Sequence, residues 1–350
     1  MVDLDLAAVL RAAHVAARGK RRSADVAAFL LDRERHSLAL IAELCAGTWR
    51  PSAPRGFFIR EPKLRLISAL PFRDRVVQHL LVAATLPAIE RSFAPQSYAC
   101  RKGFGTHRCL RAAAELARRH RWVLRLDLAK FFPSIDHAFV KRLLRPCTPT
   151  PWWPVTERIV DAPAHVERTL FYFPGDDLFA PIARPHGLPI GNLCSQIWAN
   201  MVLTPIDHLI GSHLGLGTFV RYCDDLLTFD DDPGRLRAAW DAVARRCDGL
   251  RLRLHPTKCR LHRTTERVAF VGFILEHRGD AVRVTLKTEN VRRFRRRMGE
   301  LRRLHAAGAI EIDEVTSRIR AWLAHARHGD TRALCERVLG ELSFSRASPD

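Results

Sequence analysis

The sequence predicts an α+β fold with antiparallel strands, on three observations. Two stretches alternate like strands around short polar centres: residues 56–60 and 64–70 flank Glu61-Pro62-Lys63, and residues 219–229 fold about Cys223 to Asp225. Apolar residues at helical spacing fill the intervals between the strand-like segments. From about residue 283 the chain reads as strongly basic and helical.

The chain has 350 residues and is 47% hydrophobic, enough for a sizeable core and two or three lobes. Its net charge of +20 suggests a polyanionic partner. A ribosome-like binder and a membrane-surface protein are the rival readings. No apolar run reaches the ~18 residues that cross a bilayer. Asp3 and Asp5 precede any apolar segment, so the N-terminus is a poor signal peptide. The nine cysteines are scattered without a Cys-x-x-Cys pair, which fits free thiols in a reducing cytoplasm. His255, Cys259 and His262 lack a fourth ligand at zinc spacing and are read as structural.

In order, residues 1–50 are expected to be helical, with Val26, Phe29, Leu30, Leu38, Ile41 and Leu44 at helical spacing. The hairpin 56–70 carries a basic tip at Lys63, and Asp74 then opens a helix with Val76, Val77, Leu80 and Leu81 inside. A glycine-containing basic loop, 97–106, leads into a helix of small residues and arginines. Residues 122–128 form a buried strand ending in Asp127, and a bare carboxylate there calls for a cation. Ser134 or Asp136 caps the next helix. Residues 146–185 read as an irregular excursion with a hairpin around 170–173 and a solvated acidic turn at Asp176-Asp177. The turn-rich loop 186–192 precedes a helix that Pro205 bends. After the acidic hairpin come a helix over about 233–250, a loop at 254–258, and a strand over 268–274 centred on Gly272. Val291, Phe294, Met298 and Leu301 then make a narrow apolar stripe among Arg292, Arg293, Arg295, Arg296 and Arg297, a helical face suited to phosphates or to an acidic protein. His325 and His328, in a last helix, are read as structural or backbone-contacting.

Three carboxylates stand out: Asp127 at a strand end, and Asp224 with Asp225 at a hairpin tip. Adjacent acids repel and are costly to desolvate, and a divalent cation cancels both penalties; a solvated acidic turn is the plainer reading of such a pair. Carboxylates on neighbouring strands can hold two cations ~3.5–4 Å apart, as phosphoryl transfer requires.

At this point the chain resembles the reverse transcriptases. Residues 126–137, Leu-Asp-Leu-Ala-Lys-Phe-Phe-Pro-Ser-Ile-Asp-His, resemble their first catalytic motif, and Tyr222-Cys223-Asp224-Asp225 their Tyr-x-Asp-Asp motif. Gly187-Leu188-Pro189-Ile190-Gly191-Asn192 through Ser195-Gln196 and Asn200 resemble the motif between them. Lys63-Leu64-Arg65 with Asp74-Arg75 resemble the fingers segment, and Pro256-Thr257-Lys258 and residues 270–273 the later palm motifs. The order matches across roughly residues 55–275.

The resemblance implies a right-hand polymerase fold: N-terminal helices and fingers over 1–121, an antiparallel palm over 122–280 with the excursion 146–185, and a short basic helical thumb over 281–350. It implies that Asp127, Asp224 and Asp225 bind two Mg²⁺ ions, with Mn²⁺ as the alternative. Lys63 and Arg65 would lie over the triphosphate, and Lys258 would be a proton donor near pyrophosphate. Phe132 would be the steric gate against a ribose 2′-OH. Ile190, Gly191 and Gln196 would border the nucleotide, and Phe270, Val271 and Gly272 would brace the primer end. The implied partners are an RNA template, a DNA or RNA primer, dNTPs and a small accessory protein. Most retroviral and intron enzymes carry glutamine at the Ile190 position and proline at the Gln196 position. The pattern here is similar to the enzymes of diversity-generating retroelements, and to related antiviral defence enzymes. The short thumb leaves no room for a nuclease domain, which fits that subgroup. Cys223 departs from the commoner methionine. A catalytically idle RNA-binding scaffold is the alternative of another class, against which three acids in a basic protein argue.

Overall fold

The computed structural model describes residue 2 and residues 4–60, 64–279 and 281–345. Lys63 lies outside the described residues. The chain is α+β, and the named strands among the described residues pair antiparallel, with one isolated parallel bridge from Ser97 to Arg221 of the strand Phe219–Tyr222. Strands β1 (Arg55–Ile59) and β2 (Arg65–Ala69) form a separate hairpin. Strands β3 (Trp122–Leu126), β4 (Phe219–Tyr222), β5 (Asp225–Asp230) and β6 (Arg260–Arg263) make the central sheet, in the order β4-β5-β3-β6. Strands β7 (Val268–Phe270), β8 (Phe273–Arg278) and β9 (Ala281–Leu286) form a third sheet.

Strands β3, β4 and β5 are largely buried on both faces while the edge strand β6 is partly exposed, and the two-residue period of the strands divides the core. Leu124, Leu126, Phe219 and Leu226 face a cluster built with the helices Phe72–Ser92, Leu193–Val202 and Pro233–Gly249. Val123, Val220, Leu227 and Phe229 face the opposite cluster. There the helix Thr106–Arg119 presents Cys109, Leu110, Ala113 and Ala117, and the three-stranded sheet and C-terminal helices complete the packing. Alanines at these positions let the helix lie close to the strands. The crossover that puts β3 beside β5 sets Leu126 opposite Leu226, so the chain leaves β3 at Asp127 beside the start of β5 at Asp225.

Several sequence expectations need correction. Residues 170–173 form no strand pairing. Asp176 is not a solvated turn residue: its side chain is 4% exposed and pairs with Arg184, and Arg251 lies 3.5 Å away. Asp177 accepts the backbone N–H of Ala180 (2.7 Å). Residues 268–274 are not one strand, because Val271 and Gly272 turn the chain between β7 and β8 with φ of +38° and +92°. Residues 281–286 are strand β9, so the helical segment starts at Thr288. Leu38 is exposed. His325 closes the helix Ile312–Ala326, His328 follows it, and a further helix spans Arg332–Gly340. Pro205 divides its helix outright, the first part ending at Val202 and the next running Thr204–His208. The stripe Val291, Phe294, Met298 and Leu301 is buried. Asp136 is the cap expected for the helix His137–Leu144, accepting the N–H of Phe139 (2.9 Å). No helix among the described residues is long and apolar enough to cross a membrane.

Candidate active site

The Tyr222–Asp225 hairpin turns over two residues, with Tyr222 paired to Asp225. Cys223 takes the left-handed conformation (φ +53°) and Asp224 completes the turn. Positive φ at the first central residue matches the twist of the flanking strands. What holds this turn in place is Arg221, 1% exposed. Its guanidinium donates through Nε and Nη2 to Asp207 (2.7 and 2.5 Å), through Nη1 to the Asn200 side-chain oxygen (2.7 Å), and through Nη2 to the Ser97 hydroxyl (3.0 Å). Nη1 also donates to the carbonyl of Cys223 (3.0 Å), which ties the turn to two helices and the 97–100 loop. The sequence reading missed Arg221 and Asp207. The available signal was a charged residue inside an otherwise apolar strand, which survives burial only when paired.

Asp127 accepts the ammonium of Lys258 on Oδ1 (2.7 Å). Its backbone carbonyl accepts the N–H of His255 (2.7 Å), which ties the 255–259 turn to the end of β3. Asp225 is held by Arg125, whose Nε and Nη2 both lie 3.2 Å from its Oδ1. Arg125 stands two residues before Asp127 on the same side of β3. Burial is the main force raising the Asp224 carboxyl above the usual carboxylate range; the charges of Asp127 and Asp225 add to it and Lys258 opposes it. Burial likewise raises Asp225, with Arg125 pulling the other way. Burial, with Cys100 and Asp224 nearby, pushes the Cys223 thiol up to about 12, so it stays protonated and unreactive.

A cleft of about 320 Å³ gathers Arg65 from β2, Phe132, Ile190, Asp224 and Lys258. Five sequence-distant segments thus meet at one opening. Backbone hydrogen bonds fix their spacing. Leu188 donates to the carbonyl of Phe132 (2.9 Å), Gly187 to that of Ile135 (2.8 Å), and Ser68 on β2 to that of Ile190 (3.0 Å). Gly191 is needed where the loop crosses β2: it has φ +113°, and a Cβ there would sit 3.0 Å from Ile67 Cγ2. Gln196 is exposed on the helix Leu193–Val202 and does not line this cleft. Phe270 is fully buried under the Val271-Gly272 turn, whose Gly272 carbonyl accepts from Lys287 (3.2 Å). Arg292, Arg293, Arg295, Arg296 and Arg297 lie on the helix Thr288–Ala306, where Arg295 pairs with Glu341 (2.8 Å) and Arg297 with Glu300 (3.2 Å).

Among the described residues, no three His, Cys, Asp or Glu side chains form a ready-made metal cage. The donor set still suits a hard cation. Burial and mutual repulsion disfavour charge on Asp224 and Asp225, and two cationic side chains already sit on Asp127 and Asp225. Mg²⁺ in nucleotide sites is held by one or two carboxylates together with substrate phosphates, which needs no closed protein cage.

Compared with known proteins, residues 59–275 match the family model described as reverse transcriptase (RNA-dependent DNA polymerase). Protein YkfC of Escherichia coli (strain K12) is 26% identical over 176 residues, covering 48% of this chain and 43% of YkfC. The chain therefore spans less than half the length of that relative.

Proposed function

The chain belongs to the reverse transcriptase family, and from that premise we propose that it copies RNA into DNA by two-metal nucleotidyl transfer, at low fidelity, in a diversity-generating retroelement. The observation that carries the reading is the single cleft shared by Arg65, Phe132, Ile190, Asp224 and Lys258. In this reading the central sheet is the palm, the β1–β2 hairpin belongs to the fingers, and the helices after Thr288 are the thumb.

Asp127, Asp224 and Asp225 would hold two Mg²⁺ ions, which activate the attacking hydroxyl and stabilise the leaving oxygen when bound. Arg65 on β2 faces the cleft from the hairpin side and would grip the triphosphate; Lys63 would share that role. Phe132 stands at the cleft wall with its backbone fixed by Leu188, so its ring would meet a ribose 2′-OH without yielding. Lys258 pairs with Asp127 and lines the same cleft. With Asp127 holding a metal, its ammonium would be available to donate a proton to the departing pyrophosphate. The Val271-Gly272 turn would brace the primer end, and the arginines of the helix Thr288–Ala306 would follow the duplex backbone.

Ile190 supports the low-fidelity reading. Its side chain offers no hydrogen bond and is stiff at its β-branch. A geometry-sensing hydrogen bond contributes about 0.5–1.5 kcal/mol, so its absence raises error by up to roughly tenfold.

Primer extension on an RNA template tests the activity. Asp224→Asn should abolish extension while RNA binding persists; near-normal extension by the variant would remove the site. Sequencing the cDNA tests the fidelity: Ile190→Gln should lower the error rate, and equally low error in both proteins would end the mutagenic reading. Phe132→Ala should raise ribonucleotide use relative to dNTPs. Replacing three of Arg292 to Arg297 should flatten the salt dependence of template binding.

A further inference from the structure

The central sheet bears a second cleft, of about 520 Å³, that shares no lining residue with the first. Arg125, Arg260 and Arg267 line it together with His262 and Glu266. Arg125 and Arg260 are direct cross-strand partners between β3 and β6. Like charges in that register repel and weaken a sheet unless something between them carries the opposite sign. The protein supplies little of it. Arg125 turns its Nε and Nη2 to Asp225, away from Arg260. The side chains of Arg260 and Arg267 have no carboxylate, acceptor or ring against them among the described residues. Glu266 is the one acid in the lining, and its Oε1 takes the backbone N–H of Arg263 (3.1 Å). His262 is two residues from Arg260 on β6 and so on the same side, with its Nδ1 engaged by the Arg263 carbonyl (3.2 Å).

We propose that this cleft is a second phosphate-binding site, in which a phosphate-bearing anion bridges Arg260, Arg267 and the remaining Nη1 edge of Arg125. Planar guanidiniums on a rigid sheet suit phosphate oxygens better than ammonium groups do. The site is coupled to the acids by construction, because Arg125 reaches Asp225 with the other side of its guanidinium. An occupant shares the charge that steadies Asp225. The phosphate can come from a free polyphosphate or from a nucleic-acid strand, and the chemistry of recognition is the same.

The test uses the full chain in EDTA, which removes metal-dependent binding at the first cleft. Phenylglyoxal labels accessible arginines, and peptide mass spectrometry reads each position with tripolyphosphate or with a short thymidine oligonucleotide present. Labelling of Arg260 and Arg267 should fall at least about fivefold in one arm or both, while exposed Arg237 on the helix Pro233–Gly249 changes less than about twofold. Protection by tripolyphosphate alone assigns a free polyphosphate. Protection by the oligonucleotide alone assigns a strand. The double variant Arg260→Gln, Arg267→Gln should also lose one calorimetric binding equivalent for the protecting anion. Unchanged labelling in both arms, equal protection of Arg237, or an unchanged stoichiometry in the variant overturns the proposal.

Discussion

Two hairpin turns of the molecule, each carrying a non-glycine residue at positive φ, are held by opposite means. The Cys223-Asp224 turn rests on a buried ion pair, Arg221 with Asp207, and on the donor that Arg221 gives to the Cys223 carbonyl. The Val271-Gly272 turn rests on Phe270 and Phe273, both fully buried and paired across β7 and β8. Each turn places a non-glycine residue at positive φ, +53° for Cys223 and +38° for Val271. Under the proposed function, the difference fits what each turn would do. Apolar packing fixes distance but tolerates small rotations, whereas a forked guanidinium fixes direction as well. A turn that must aim a carboxylate needs direction. A turn that offers only backbone to its neighbour needs support from below.

The comparison breaks most visibly at Asp207. Asp207→Ala leaves Arg221 buried without its counter-charge and should cost about 3–5 kcal/mol in chemical denaturation. The sharper variant is the apolar pair Arg221→Met with Asp207→Leu. It should recover most of that stability, since buried pairs can be replaced by packed hydrophobes. Extension should nevertheless stay at least about tenfold slow, because the Cys223 carbonyl has lost its donor, worth about 1.5–3 kcal/mol for a charged one. Full extension by the double variant would mean that packing alone can aim the acids.

At the other turn the same logic predicts tolerance. Phe270→Leu keeps the site apolar and should cost about 1–1.5 kcal/mol, with the extension rate at saturating primer within roughly threefold of the parent. A loss as large as that of the Arg221 double variant would erase the distinction between the turns. The smallest effect is in the backbone. Val271→Gly relieves a β-branched residue in the left-handed region at some cost in chain entropy, and should raise stability by about 0.5–1 kcal/mol. Cys223→Gly should gain less, because it also removes a half-buried thiol. A melting temperature that falls for Val271→Gly would show that its side chain packs more than its backbone strains.

The acids Asp127, Asp224 and Asp225 and the cleft residues Arg65, Phe132, Ile190 and Lys258 can be singled out in the sequence because their motifs are local and ordered: a strand ending in Asp127, a hairpin tip at Asp224-Asp225, a glycine loop around Ile190. Gln196, expected beside the nucleotide, does not line the cleft, and His165, Val166 and Glu167, which do, carry no such motif. The support beneath them was not. Asp207 follows a proline on a divided helix, 14 residues from Arg221 in sequence, and nothing in its neighbours announces the partner. The β7–β8 turn was read as one strand because valine and phenylalanine are strand-formers, and Gly272 alone did not outweigh them. Asp176 looked like a turn acid because Pro174-Gly175 precedes it; its pairing with Arg184 and Arg251 depends on how the excursion folds back. Local pattern specifies elements, while pairings across the fold depend on topology that single-segment patterns do not carry.

The hydrogen bond from Ser68 to the Ile190 carbonyl, with Gly191 pressed against Ile67, joins the β1–β2 hairpin to the loop behind the cleft. The two are therefore coupled through that seam. If the hairpin closes over a triphosphate, it carries with it Ile190, expected to border the nucleotide. Grip on the substrate and tolerance of a mispair then become a single mechanical variable. Loosening that seam would trade catalytic speed against accuracy without touching any acid.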